Sequence, residues 1–399
     1  MADLFDKCKN YTYAKEAMAA NIYPYFHCLE CGQSTEVVME GRKVYMLGSN
    51  NYLGLTSNPA LIEASVETTK KYGTGCSGSR FLNGTLDLHI ELEEKLAKFL
   101  GKEACMTFST GFQSNLGIIS AIAGRGDFII GDKENHASIY DACRLSYAKL
   151  LRYNHSDMED LERVLESVPL DAGKLIVTDG VFSMGGDICK LPEIVALAKK
   201  YNARIMIDDA HGLGVIGEGG RGTASHFGLT DEVDILMSTF SKSLASLGGY
   251  MCASEEVVHY VRHNSRPFIF SASMPPANIA AASKALDLLI AHPEMPQRLM
   301  DLADYFRKGL RARGVDIRDS EAPIVPINTY NDVDTFAICK KLFENGVYVN
   351  PVISPAVAPG DAIIRTSLMA TFTEEQLDKA MDIIANTISE YWANKKETE

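Results

Sequence analysis

Short β-branched runs alternate with amphipathic stretches through the middle of the chain. Phe128-Ile129-Ile130, Lys174-Leu175-Ile176-Val177-Thr178 and Arg204-Ile205-Met206-Ile207 are compact and apolar, as strands covered on both faces must be. Between them, Asp160–Leu165 and Leu191–Ala198 repeat apolar positions at helical spacing. Strands alternating with helices predict an α/β fold, a largely parallel sheet wrapped by helices. From about Asn278 the pattern changes. Ala280–Leu289 reads as a long helix and Met300–Gly309 as a charged one, with strand-like pieces at Ile324–Ile327 and Ala362–Arg365. A last helix starts at the cap Thr373-Glu374-Glu375-Gln376 and runs to about Trp392, and Asn394–Glu399 reads as a frayed polar end. The expected organisation is an N-terminal segment over 1–50, a large domain over 51–278 and a smaller α+β domain over 279–399.

Composition narrows the possible partners. The chain has 399 residues, 46% hydrophobic and 23% charged, the balance of a globular protein. A net charge of −13 leaves no basic footprint for nucleic acid, although a local basic patch for an anionic substrate remains compatible with it. No apolar run of roughly 18 residues is present, so no transmembrane segment is expected. The charged start Met1–Lys7 does not read as a secretory signal. Nine scattered cysteines fit reduced thiols in a cytoplasmic protein, and contact with the inner membrane surface stays open. Cys28 and Cys31 form one C-x-x-C without a second ligand pair, so no metal is expected there.

The chemistry concentrates in a few motifs. Ile205-Met206-Ile207-Asp208-Asp209-Ala210-His211 ends a strand in two acids and a histidine, and Lys242 lies downstream in Ser238-Thr239-Phe240-Ser241-Lys242-Ser243. A lone lysine is ordinarily a solvated charge. Paired with a buried acid it fits pyridoxal phosphate (PLP): the amine forms a Schiff base with the cofactor aldehyde, and the acid keeps the pyridine nitrogen protonated. Ser109–Asn115 opens a helix, with Ser109 or Thr110 as cap, and presents free N–H groups to a phosphate. Asn135-His136 and Asp179–Asp187, with Ser183, follow strands, where α/β sheets bind ligands. His211–Gly217 contains G-x-G-x-x-G, but Glu218–Thr223 cannot sustain the helix that a dinucleotide site needs. Arg365, in an apolar strand-like run, needs an anion: a substrate carboxylate or a structural acid.

These motifs, in this order, resemble the α-oxoamine synthases, a branch of the fold-type I PLP enzymes. The resemblance runs from Leu47–Leu55 to Arg365. It implies a large domain with a mainly parallel seven-stranded sheet and a decarboxylating condensation of an amino acid with an acyl-CoA. By the same resemblance Lys242 is the cofactor lysine and a catalytic base, and Asp208 the partner of the pyridine nitrogen. His136 stacks on the ring and acts in catalysis, while His211 and Ser183 contact the ring hydroxyl. Gly111, Phe112 and Thr239 hold the phosphate. Arg365 anchors the substrate carboxylate, with Asn50 or Asn51 assisting. The family works as a homodimer with shared sites, so Ser271 would serve the neighbour's phosphate; Ala272 stands where several members carry a second hydroxyl. Gly75–Thr85 and Gly346–Pro351 are most similar to the bacterial members that join L-serine to a long-chain acyl-CoA. The alternatives are alanine with pimeloyl-CoA, glycine with acetyl-CoA, or a non-catalytic partner subunit.

Overall fold

The computed structural model describes residues 3–398. Its centre is a sheet of seven strands: β3 (Ala104–Phe108), β4 (Phe128–Asp132), β5 (Lys149–Tyr153), β6 (Lys174–Asp179), β7 (Arg204–Asp208), β8 (Ile235–Thr239) and β9 (Gly249–Ala253). Two strands precede them, β1 (Glu36–Met39) and β2 (Arg42–Met46), and four follow. The seven-strand order is β3-β9-β8-β7-β6-β4-β5, with β9 antiparallel to both neighbours and the other pairings parallel. This matches the mainly parallel seven-stranded expectation.

The continuous apolar runs are explained by burial on both faces. Ile176, Ile205 and Ile207 pack on one side against helices that include Leu92, Leu161 and Leu286. Leu175, Val177 and Met206 pack on the other, against Ile118, Ile119 and Ile139. Alternate residues of one strand thus enter different cores, and no polar face is needed.

The C-terminal part holds a second sheet of β10 (Ile324–Tyr330), β13 (Ala362–Ser367) and β12 (Asn350–Val352), with β13 in the middle. β11 (Val347–Tyr348) instead pairs parallel to β2, which ties the β1–β2 hairpin to the C-terminal residues. Val37, Val44, Phe306 and Ile384 accordingly share one core. The chain end departs from expectation. The last helix, Glu374–Thr398, continues through the residues read as frayed. Lys395 Nζ lies 2.9 Å from the buried carboxylate of Asp334, whose desolvated charge gives the last turn a partner. Glu399 falls outside the described residues.

One ionic clip positions the loops above the sheet. His155 Nδ1 donates to Asp132 at the end of β4, and Nε2 donates to Asp187 in the loop after β6, both at 3.0 Å. Glu134 Oε2 adds a third acid at 3.8 Å. Asp132 also accepts from the backbone N–H groups of Glu134 and Ser156. Burial opposes charge on the imidazole, but the hydrogen bonds to Asp132 and Asp187 and their fields outweigh it, pushing its pKa up to about 10. The clip therefore fixes the loop carrying His136 against the loop carrying Ser183.

A histidine whose folded pKa exceeds its unfolded value of roughly 6.5 stabilises fully below that value and loses its contribution as pH rises through the folded pKa. His155→Gln should therefore be most destabilising near about pH 6, with the difference from wild type shrinking as pH passes about 10. Urea midpoints of both proteins across that window measure it. A pH-independent difference would mean an uncharged ring.

Candidate active site

Five strands end at one cleft. β3 leads into Ser109-Thr110-Gly111, β4 into Asn135-His136, β6 into Ser183, β7 into His211 and β8 into Lys242. These are the carboxyl ends of strands running in one direction, where α/β sheets place ligands. A cavity of about 710 Å3 opens there, with His136 and Ser183 in its wall.

The Lys242 amine makes no hydrogen bond and no ion pair among the described residues. Burial lowers its pKa to about 8, against the opposing fields of Asp208 and Asp179, while Arg365 adds to the lowering. Its amine is thus free of proton far more often than that of a surface lysine, as a nucleophile or base requires.

The two adjacent acids have different surroundings. Both oxygens of Asp209 are committed to Thr223, one accepting its hydroxyl at 2.6 Å and the other its N–H at 2.8 Å. Asp208 is 3% exposed; its Oδ1 accepts the Ala210 N–H, and its Oδ2 accepts Asn115 Nδ2 at 2.7 Å. The same Asn115 amide donates to Ser138 Oγ at 2.8 Å, leaving the serine hydroxyl to donate to His136 Nδ1 at 2.7 Å. A relay thus links Asp208 to His136 through Asn115 and Ser138. Burial holds His136 below its ordinary pKa despite Asp208, so the ring is neutral and carries its proton on Nε2. The His136 backbone N–H donates to Asp179 Oδ2 at 2.8 Å.

A phosphate-sized cradle lies beside them. Helix Gly111–Ile122 is capped by Thr110, whose side chain accepts the Gln113 N–H, which settles the choice between Ser109 and Thr110. A Cβ on Gly111 would lie 2.7 Å from the Cβ of Thr239, so only glycine lets the helix start approach β8. Phe112 follows, its ring 6.5 Å from that of His136. Gln113 Nε2 donates to Ser271 Oγ at 2.5 Å within the chain, a bond on the side of Gln113 and not at the Gly111 and Phe112 N–H groups. Free N–H groups at a helix start, a partnerless lysine and a buried acid within one cleft fit PLP.

Arg365 completes the site from the centre of the second sheet and is 5% exposed. Nε donates to the Ser183 carbonyl at 2.5 Å, Nη1 to Ser367 Oγ at 2.7 Å, and Nη2 to Asn50 Oδ1 at 3.0 Å and Tyr52 Oη at 3.3 Å. All four acceptors are neutral, and no carboxylate pairs with it among the described residues. The reading of Arg365 as half of a structural salt bridge fails here. Tyr52 passes its own proton to His211 Nδ1 at 2.7 Å. Burial, then Lys242 and Arg365, holds His211 well below its usual pKa, so Nδ1 can accept. Between Asn50 and Asn51, only Asn50 enters the site. Asn51 is turned away: its amide donates to Thr56 Oγ1 at 2.7 Å and serves the turn.

Sequence reasoning gave no individual role to Tyr52, Asn115 or Asp179. Asn115 had a weak signal, an amide one turn into the helix just before its mainly apolar stretch Leu116–Ile122. Tyr52 had none, since a tyrosine next to leucine reads as core. The G-x-G-x-x-G run forms turns, followed by the three-residue 3-10 helix Glu218–Gly220 and the four-residue helix Thr223–His226, and does not open a dinucleotide helix.

The profile of the family described as aminotransferase class I and II matches residues 42–384. A serine palmitoyltransferase of Sphingobacterium spiritivorum is 52% identical over 379 residues, 95% of each chain. An 8-amino-7-oxononanoate synthase of Thermoanaerobacter pseudethanolicus is 44% identical, over 92% of this chain and 93% of its own. A solved structure described as SPT with a PLP internal aldimine superposes with a TM-score of 0.94 at 35% identity, covering 98% of this chain and 99% of that one. Matches of this extent, converging on relatives that join amino acids to acyl groups, leave one assignment: the chain belongs to the class I and II aminotransferase family of PLP-dependent enzymes, in its α-oxoamine synthase branch.

Proposed function

We propose that this enzyme condenses L-serine with a long-chain acyl-CoA such as palmitoyl-CoA, releasing CO2 and CoA and forming 3-ketodihydrosphingosine. Arg365 carries this reading: a buried guanidinium with four neutral acceptors and no acid partner is a seat for an amino-acid carboxylate. Serine is favoured over alanine because the serine palmitoyltransferase relative is 52% identical, against 44% for the oxononanoate synthase.

Bound PLP supplies an electron sink for the carbanion left at the substrate Cα. Asp208, oriented by Asn115, holds the proton at the pyridine nitrogen. Gly111, Phe112 and Thr239 receive the phosphate at the helix start, with Ser271 of a second copy completing the site in a homodimer. His211 and Ser183 face the ring hydroxyl. Lys242, whose pKa burial lowers to about 8, takes the Cα proton. His136 would lie against the ring, with its Nε2 proton available to the thioester carbonyl. Arg365, with Asn50 and Tyr52, keeps the carboxylate in place. In the cell the work belongs to the cytoplasm or the inner face of the membrane; no helix among the described residues is long and apolar enough to cross one.

Three measurements test this reading. Purified holoenzyme offered serine, alanine and glycine against palmitoyl-, pimeloyl- and acetyl-CoA should favour serine with palmitoyl-CoA; a preference for alanine with pimeloyl-CoA would overturn it. Arg365→Ala should weaken serine binding about tenfold or more, equivalent to ~1.5–3 kcal/mol, while PLP stays bound. Arg365→Lys should recover only part, since a point charge lacks the planar fork. Spectral titration of both variants with serine reads this, and wild-type affinity in Arg365→Ala would move the carboxylate seat elsewhere. Asp208→Asn should keep bound cofactor and lose Cα proton exchange. Serine deuterium exchange at the wild-type rate would refute its role.

A further inference from the structure

The cavity over the catalytic residues shares part of its wall with a neighbouring one. Met184, Ser354, Pro355 and Ala356 belong to its wall and equally to the wall of a second cavity of about 650 Å3. The two spaces differ in chemistry. Lys133, Glu134, Arg318 and Asp361 line the first. In the second, Asp332 is the one charged side chain of the lining, and aromatic rings dominate.

Those rings come from two distant parts of the chain. Residues 11–25 cross the face of helix Asp332–Glu344. Tyr25 meets Phe336 edge-on with ring centroids 5.6 Å apart, and Tyr13 lies 6.3 Å from the same ring. Tyr23 packs against Tyr25 at 5.4 Å. Phe336 is buried, which fixes the floor, whereas Tyr11, Tyr13 and Tyr25 are 60%, 46% and 38% exposed. Burial, with neighbouring phenols and Asp332, pushes the Tyr25 hydroxyl up to about 12, so that wall stays uncharged. An aromatic trough of this kind on a globular protein marks a binding surface. The wall it shares with the catalytic cavity fits one occupant class: a long apolar chain whose reacting end lies at His136.

We propose that the trough between the N-terminal tyrosines and Phe336 is the seat of the acyl chain of the thioester substrate. This rests on the long-chain acyl-CoA reading above. The thioester end occupies the charged cavity, the chain passes between Met184 and residues 354–356, and its distal methylenes lie along Tyr25 and Phe336. The N-terminal segment thereby becomes the determinant of acyl length, a role separate from amino-acid choice.

The test compares kcat/KM for palmitoyl-, lauroyl- and octanoyl-CoA in wild type, Tyr25→Glu, Tyr13→Glu and Tyr25→Phe. A carboxylate in the trough should cut the preference for palmitoyl- over octanoyl-CoA by at least about tenfold, because each methylene then loses its apolar surroundings. Tyr25→Phe should keep the wild-type profile, and serine titration should be unchanged in every variant. Wild-type chain selectivity in both glutamate variants would overturn the acyl seat and leave the condensation reading intact. A wild-type enzyme that condenses none of the three thioesters with serine would instead remove that reading. If the glutamate variants lose self-association in sedimentation while keeping wild-type selectivity, a second copy of the chain covers the trough and the acyl seat is overturned.

Discussion

A buried positive charge with no carboxylate paired to it among the described residues organises this molecule. Arg365 lies on the central strand of the C-terminal sheet, and every group that its guanidinium reaches is neutral. Removing such a charge from water costs several kcal/mol, and neutral acceptors return only part of it. The acceptors come from three separate stretches: Asn50 and Tyr52 near the N-terminus, Ser183 after β6, and Ser367 on its own strand. The guanidinium therefore ties these stretches together through side chains, beside backbone bonds such as Ser367 N–H to Leu47 O and Ala370 N–H to Tyr52 O, both 2.7 Å. The proposed carboxylate seat lies at the point where they converge.

The same economy governs the seven-stranded side of the cleft. Asp208 and Asp209 are neighbours with similar burial, yet Thr223 consumes both oxygens of one while Asn115 only orients the other. Burial pushes Asp209 up to about 6, tempered by Thr223. Both cleft histidines are held neutral, so each presents one donor and one acceptor nitrogen instead of two donors. A neutral His136 matters because a second cation beside Lys242 would lower the lysine further and compete for Asp208. His155, outside the cleft, shows the opposite balance. Two acids at 3.0 Å overcome its burial, and it serves as a charged fastener, not as a proton carrier.

The legible part of the sequence was what repeats or what carries unusual chemistry. Alternating β-branched runs and helical spacing gave the sheet, because burial on both faces leaves strands no polar side to blur the pattern. Lys242, Asp208, His136 and Arg365 stood out because each is polar at a strand end or in an apolar run. Two kinds of feature were hidden. Asn50 and Asn51 are identical neighbours, and only the turn closed by Thr56 decides which of them faces Arg365. The chain end looked frayed because its residues are polar; the buried Asp334 that orders it lies 61 positions away. Tyr52 and the tyrosines of residues 11–25 were equally silent, since an aromatic residue looks alike in a core and in a binding wall.

That silence has a physical source. Proton-transfer groups announce themselves because a polar side chain in an apolar setting needs a specific partner, so its type is constrained. Apolar recognition needs only area and shape, and many residues supply both. The charged half of this site therefore surfaces in sequence as isolated residues, while the apolar half surfaces only when the N-terminal segment is seen lying against helix Asp332–Glu344. The first half carries the charged groups of the proposed reaction. The second is free to vary without disturbing Lys242, Asp208 or Arg365, because it touches the catalytic cavity only through Met184 and residues 354–356. Divergence in substrate length can thus proceed by exchange of aromatic wall residues while the chemistry stays fixed.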